Sequence, residues 1–261
     1  ICCPSVLLGL SRLASLSISI KRRRARVPPS GILLPNNVIP WAQLPLQLTS
    51  LDLELPSLRC FTEHLLTADA RLSALESLSI VLPNYQVVAG LPTLSNFAPR
   101  LQKLTFEGGS LESIEVLPRT ITYLNLRIDG LYVDPSEMWP PGLTQLKFEQ
   151  ASASVPDTHY VSWLDLLPTT VTHLTLTWFQ FIRGSKILPM ITQRMPELVY
   201  LDTNAQVLSA AEIAELPKTL RTLLLCPLHP SVTASSLLEI HRALPRELTR
   251  LDLPVETLEW T

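Results

Sequence analysis

Residues that could act as metal ligands are scattered along this 261-residue chain. Its four cysteines, Cys2, Cys3, Cys60 and Cys226, show no C-x-x-C spacing, and no histidine stands at ligand spacing from a cysteine or another histidine. A structural zinc site needs four such ligands, usually in closely spaced pairs. We therefore expect no metal and no other cofactor. The absence of clustered, paired cysteines favours a reducing, intracellular compartment over a secreted location.

The motifs that usually carry catalysis are missing as well. The sequence has no G-x-S-x-G, no glycine-rich phosphate loop and no H-E-x-x-H. Asp157, Thr158 and His159 are predicted to form a short polar turn rather than a catalytic constellation. A triad assembled across strands stays open at this level. We predict a protein that is not an enzyme, with an uncharacterised enzyme as the least favoured alternative.

One run of like charge stands out, formed by Lys21, Arg22, Arg23, Arg24 and Arg26. Such a run can be a nuclear localisation signal or a contact for an anionic partner. It precedes a proline-rich stretch, so we expect residues 21–40 to form a basic, Pro-rich insertion loop. Nucleic acid as the main partner would need basic residues spread along a whole face, and they are not there. A cytoplasmic location is predicted, with the nucleus as the alternative.

The remaining polar residues are positioned by elements that follow a repeat, L-x-x-L-x-L, which occurs ten times. We call its three apolar residues the first, middle and last anchor. Successive middle anchors lie 35, 27, 26, 20, 22, 28, 27, 22 and 28 residues apart. The last two anchors of each unit are two residues apart, so they share one side of a strand and their neighbours face the other side. Ten such strands stacked in parallel would bury the anchors in one continuous core. The middle anchors are Leu16, Leu51, Leu78, Leu104, Leu124, Leu146, Leu174, Leu201, Leu223 and Leu251.

The returns between strands are predicted to be of two kinds. Helices are expected over residues 58–74, 162–167, 209–216 and 236–244, and turns or extended returns over 107–118 and 127–140. Prolines three residues before the first anchor mark where strands begin. Pro99 and Pro196 are displaced by one position, which suggests an altered turn there. The regular prolines are Pro45, Pro118, Pro140, Pro168, Pro217 and Pro245.

The repeat unit resembles that of leucine-rich repeat proteins. The form Leu-Pro-x-x-Leu-Thr-x-Leu-x-Leu, present at 244–253 and, with Ile121 as first anchor, at 117–126, resembles half of the FNIP-type repeat. The Phe-Asn-x-Pro-Ile half of that unit is absent, and no repeat has asparagine three residues after its last anchor. The resemblance implies an α/β leucine-rich repeat solenoid with about ten parallel strands and mixed short-helix and extended returns. It also implies a protein-interaction scaffold, with a substrate-recognition or adaptor part of a larger protein as the nearest class.

The polar sides of the central strands are predicted to line up into a surface that a partner protein can reach. We call it the strand stripe, and its mixed charge and aromatic content are typical of a specific interface. Ordinary solvated strand residues are the alternative for each single position. The stripe consists of Tyr123, Asn125, Arg127, Gln145, Lys147, Glu149, His173, Thr175, Tyr200 and Asp202.

The ends of the chain leave alternatives open. We expect one domain over residues 1–261, with 254–261 as a C-terminal cap that could cover Leu224 and Cys226; otherwise these two form an apolar contact point. Residues 1–20 are apolar enough to suggest a membrane anchor, but Leu10, Leu13 and Leu16 are in register with the repeat, so no membrane contact is expected. Self-association through the end strands is the alternative to binding another protein.

Overall fold

The computed structural model describes residues 13–19, 44–55, 72–82, 94–111, 113–128, 130–131, 134, 136–150, 163–177, 187–203, 210–225 and 234–252. Each of the ten predicted units contains one strand, and neighbouring strands are all parallel. The prediction of ten parallel strands in an α/β repeat fold is therefore confirmed. The strands of this sheet, in spatial order, are β1 (Ser15–Ser19), β2 (Ser50–Glu54), β3 (Ser77–Val81), β4 (Lys103–Glu107), β6 (Tyr123–Ile128), β8 (Gln145–Gln150), β9 (His173–Thr177), β10 (Tyr200–Thr203), β11 (Thr222–Leu225) and β12 (Arg250–Asp252).

The strands pair so that equivalent anchors face one another. Leu124 of β6 lies opposite Leu104 of β4 and Leu146 of β8, and the same register continues to both ends of the sheet. All described anchors of the eight inner strands are buried, and all of them except the polar Thr203 belong to one hydrophobic core. Leu16 at one end and Leu251 at the other are half-buried.

The prolines mark a four-residue turn before eight of the ten strands. In the regular repeats the proline carbonyl accepts a hydrogen bond from the first anchor, as from Ile121 N to Pro118 O at 3.2 Å. Pro99 and Pro196 do not alter this turn, contrary to the prediction. There the carbonyl of the preceding residue, Ala98 or Met195, accepts the same bond, and the proline takes the second turn position, which its fixed φ suits.

Threonines beside the first anchor fasten six of the turns, those before β2, β6, β8, β9, β11 and β12, to the preceding repeat. Thr170 Oγ1 donates to the carbonyls of Pro141 and Leu143 at 3.1 and 2.7 Å, and Thr120 and Thr219 make the equivalent pair of contacts. The threonine that directly follows the first anchor makes a single bond of the same kind in five repeats. These threonines are Thr49, Thr122, Thr144, Thr172 and Thr249. We call both sets of bonds together the threonine ladder.

The returns are mixed, as predicted, although their bounds differ. The helices are α1 (Leu94–Phe97), α2 (Ile187–Arg194), α3 (Ala210–Ala214) and α4 (Ala234–Ala243), with a 3-10 turn at Leu164–Leu166. The last three predicted helices correspond to the 3-10 turn, α3 and α4, whereas α1 and α2 were not predicted. Most of the helix predicted over 58–74 lies outside the described residues.

The two short repeats have extended returns, also as predicted. β5 (Ser110–Leu111) and β7 (Gly130–Leu131) pair in parallel as a second, two-stranded sheet. Gly108 and Gly109, between β4 and β5, have φ values of 118° and 59°, a region that other residues rarely adopt. These returns are also tied together by Ile114 N, which donates to Glu137 Oε2 at 2.9 Å.

Candidate functional site

The ten residues of the strand stripe lie on one face of four neighbouring strands, in three rows that cross the sheet. The register places Tyr123, Gln145, His173 and Tyr200 side by side in the first row. The second row is Asn125, Lys147, Thr175 and Asp202, and the third contains Arg127 and Glu149. Nine of these side chains are half-buried and only Gln145 is exposed, so the stripe is a crowded surface rather than a set of free side chains.

An ion-pair triad occupies the third row. Arg127 Nη1 lies 3.0 Å from Glu107 Oε1 on β4 and donates a hydrogen bond to it. Arg127 Nε lies 3.1 Å from Glu149 Oε1 on β8, an ion-pair distance without hydrogen-bond alignment. One arginine thus bridges three strands and holds both carboxylates in place.

A ring stack stands at the other end of the stripe. The His173 and Tyr200 rings are 5.8 Å apart between centroids and inclined by 18°. His173 Nδ1 is 3.0 Å from Thr172 Oγ1, which fixes the orientation of the imidazole. Partial burial raises the pKa of Tyr200 above its usual 10.0, and the nearby Asp202 carboxylate raises it further, whereas a hydrogen bond with Thr175 lowers it. Tyr200 is therefore a neutral hydrogen-bonding group at ordinary pH.

The structure brings the predicted residues together in two interacting groups. Arg127 and Glu149 belong to the triad. The stack is formed by His173 and Tyr200, with Thr175 and Asp202 next to Tyr200, and Lys147 lies between the two groups in the second row. The triad was not recognised from the sequence. The signal was present, because Glu107, Arg127 and Glu149 each follow the last anchor of their repeat directly.

Within the described ranges, no group of three or more His, Cys, Asp or Glu side chains could hold a metal ion. Over the same ranges, no helix has the length and apolarity needed to cross a membrane. The four cysteines, the basic run at 21–26 and the predicted cap at 254–261 lie outside the described residues. Leu224 is half-buried, between Asp202 and Asp252 in the second row.

Comparison with known proteins gives matches in structure only. No family model matches the sequence, and no curated protein matches it. The chain is similar to the leucine-rich repeat-containing protein LegL7 from Legionella pneumophila, with 16% identity, a TM-score of 0.41, and coverage of 81% of this chain and 75% of that one. It is also similar to CroV588, described as a novel circular LRR protein, with 17% identity, a TM-score of 0.37, and coverage of 81% and 34%. The FNIP-type resemblance stays a prediction.

Proposed function

We propose that this stack of ten parallel strands, with its polar strand face, is a non-catalytic protein-interaction scaffold that binds a partner protein through the strand stripe. The observation that supports this most is the prior ordering of the stripe. The Arg127 triad and the His173–Tyr200 stack fix their side chains before any partner arrives. Binding then costs less side-chain entropy than it would on a surface of free side chains.

The composition of the stripe supports a protein partner. It offers two tyrosines, an arginine and an imidazole within one half-buried surface, and tyrosine and arginine are enriched where protein interfaces gain most of their affinity. Charges of both signs are present, which favours a partner of mixed charge over nucleic acid. A substrate-recognition or adaptor role inside the cell is the finer form of this proposal, and it rests on the sequence resemblance and on the cysteine spacing.

The direct test removes the two aromatic side chains of the stripe. Tyr123→Ala combined with Tyr200→Ala should abolish capture of the native partner in affinity purification with mass spectrometry, while the melting temperature changes little. The matched control is Leu46→Ala with Met138→Ala, which removes side chains that are 68% and 71% exposed and lie off the stripe. A partner lost with both double variants, or with neither, would show that the stripe is not the interface.

Self-association is the second candidate, favoured by the first strand. β1 is an edge strand in the described sheet and reads Ser-Leu-Ser-Ile-Ser, without the charges or proline that usually protect an edge. Static light scattering separates the two proposals. Dimers that form with rising concentration and persist in high salt would favour self-association, and a monomer throughout would exclude it.

A further inference from the structure

A second surface, which carries four charged side chains, lies outside the strand stripe at the amino-terminal edge of the sheet. Here the turns that precede β10, β11 and β12 enclose a cleft of about 390 Å³. Its lining consists of Glu197, Val199, Lys218, Thr219, Arg221 and Glu247.

The floor of this cleft is fixed by backbone hydrogen bonds. Arg221 N and Thr222 N donate to Val199 O at 2.8 and 3.0 Å, and Thr249 N and Arg250 N donate to Arg221 O in the same way. Thr219 Oγ1 is used by the threonine ladder, at 2.9 Å from both carbonyls that it contacts. These backbone and hydroxyl groups of the open cleft are therefore already hydrogen-bonded within the chain.

The four charged side chains of the cleft are exposed, and they alternate in sign across the sheet. Glu197 precedes β10, Lys218 and Arg221 flank the first anchor before β11, and Glu247 precedes β12. Neighbouring strands are about 4.8 Å apart, so the backbone positions of the two glutamates lie about 10 Å apart, with those of the two cationic residues between them. Within the part of the chain that the structure describes, no ion pair or hydrogen bond joins the side chains of these four residues.

We propose that this cleft binds an extended protein segment that carries one carboxylate between two cationic side chains. The segment's carboxylate would lie against Lys218 and Arg221, and its two cations against Glu197 and Glu247. In an extended segment whose three charged residues occupy alternate positions, neighbouring charged residues are about 6.7 Å apart and the two cationic residues about 13 Å apart. Flexible lysine or arginine side chains cover the difference from the separation of about 10 Å between the two glutamates. The flanking glutamates repel a free phosphate or a nucleic-acid backbone, and a single amino acid supplies only one cation.

The test uses eight capped peptides in a Gly/Ser background, in which three alternate positions carry Lys or Glu in every combination. Fluorescence anisotropy at low salt should rank glutamate between two lysines first and lysine between two glutamates last, at least about ten-fold weaker, because the four exposed charge pairs change from attraction to repulsion. A ranking that follows net charge alone, a flat ranking or no binding would overturn the proposal.

The second part of the test reverses the charges of the cleft. The variant Glu197→Lys, Lys218→Glu, Arg221→Glu and Glu247→Lys should invert the peptide ranking. Its matched control, Glu76→Lys, Arg100→Glu, Glu115→Lys and Arg119→Glu, reverses four exposed charges elsewhere and should keep the original ranking. If the reversed chain does not fold, Lys218→Ala with Arg221→Ala should weaken the best peptide about ten-fold. An unchanged ranking or affinity in these cleft variants would refute the site.

Discussion

Arg127 shows how a single side chain can order a surface without contributing much stability. It is 43% exposed, and its partners Glu107 and Glu149 are 29% and 21% exposed, so solvent screens both ion pairs. Surface pairs of this kind contribute about 0.2–1 kcal/mol each. The triad therefore serves to position the third row of the stripe more than to stabilise the fold.

The first prediction concerns this triad. Arg127→Gln should lower the free energy of unfolding by about 1 kcal/mol at low salt, because Glu107 and Glu149 lose their shared cation. The loss should shrink in about 1 M salt, where the Debye length is only about 3 Å. Denaturant melts at both salt concentrations measure it, with the exposed Arg119→Gln as control. An equal loss at both salt concentrations would mean that packing of the arginine stem, not charge, is responsible.

A second residue-scale prediction follows from the raised pKa of Tyr200. Burial and Asp202 favour the neutral phenol in the folded chain, so the stability linked to it is present below the usual pKa of 10.0 and is lost as pH rises through the higher folded pKa. The unmutated chain should therefore lose more stability than Tyr200→Phe between about pH 8 and about pH 10.5. Denaturant melts at both pH values check this, and identical losses would contradict it.

The residues of the site could be predicted better than their interactions. Anchor spacing alone placed Tyr123, His173 and Tyr200 on one face, because the period of a strand is two. The stack of His173 on Tyr200 and the bridge made by Arg127 depend on rotamers and on cross-strand distances. Those are properties of the packed sheet, which no single repeat contains.

At the scale of the element, the threonine ladder joins six turns to the repeat before them through side-chain hydrogen bonds. The third prediction is that Thr170→Ala lowers the free energy of unfolding by about 1 kcal/mol, since its hydroxyl donates to Leu143 O at 2.7 Å, with Pro141 O as a longer contact at 3.1 Å. Thr169→Ala, in the same turn, is the control, because this exposed side chain makes no such bond in the structure. Thermal melts of both variants measure the difference. Equal effects would show that the threonine ladder does not stabilise the fold.

Gly108 carries the fourth prediction, because the short return after β4 depends on it. A Cβ at this position would lie 2.7 Å from Leu82 Cβ and 2.9 Å from Leu82 O, and its φ of 118° is strained for any other residue. Gly108→Ala should therefore cost about 2–4 kcal/mol. Gly142→Ala meets only Ile121 O at 4.0 Å and should be neutral or stabilise by up to about 1 kcal/mol. Chemical denaturation of the pair tests this, and similar effects would contradict the strain.

Elements were predictable where they carry anchors and less so between them. α1 is only four residues long, too short to show a helical period, and α2 contains Pro189 in its first turn, where proline is tolerated although it usually signals a break. The regular and displaced prolines turned out to serve the same turn. Its hydrogen bond depends on the carbonyl of the first turn residue, which any residue type can supply.

At the scale of the whole molecule, stability should depend on position along the stack. Leu174 is fully buried between β8 and β10, whereas Leu16 at the end is half-buried. The fifth prediction is that Leu174→Ala costs about 2–5 kcal/mol and that Leu16→Ala costs clearly less, because a cavity forms only where both neighbours are packed. Denaturant unfolding measures both, and equal costs would show that the first repeat is as well packed as the centre.

The threonine ladder also bears on how such a chain can change in length. Each threonine donates to backbone carbonyls, and these are present whatever side chains the preceding repeat has. A duplicated unit that carries such a threonine would bring its own donor and find its acceptor in any unit placed before it. Tandem duplication or loss of such a unit therefore needs no matching substitution in the neighbouring unit. This fits a stack in which successive middle anchors are 20 to 35 residues apart.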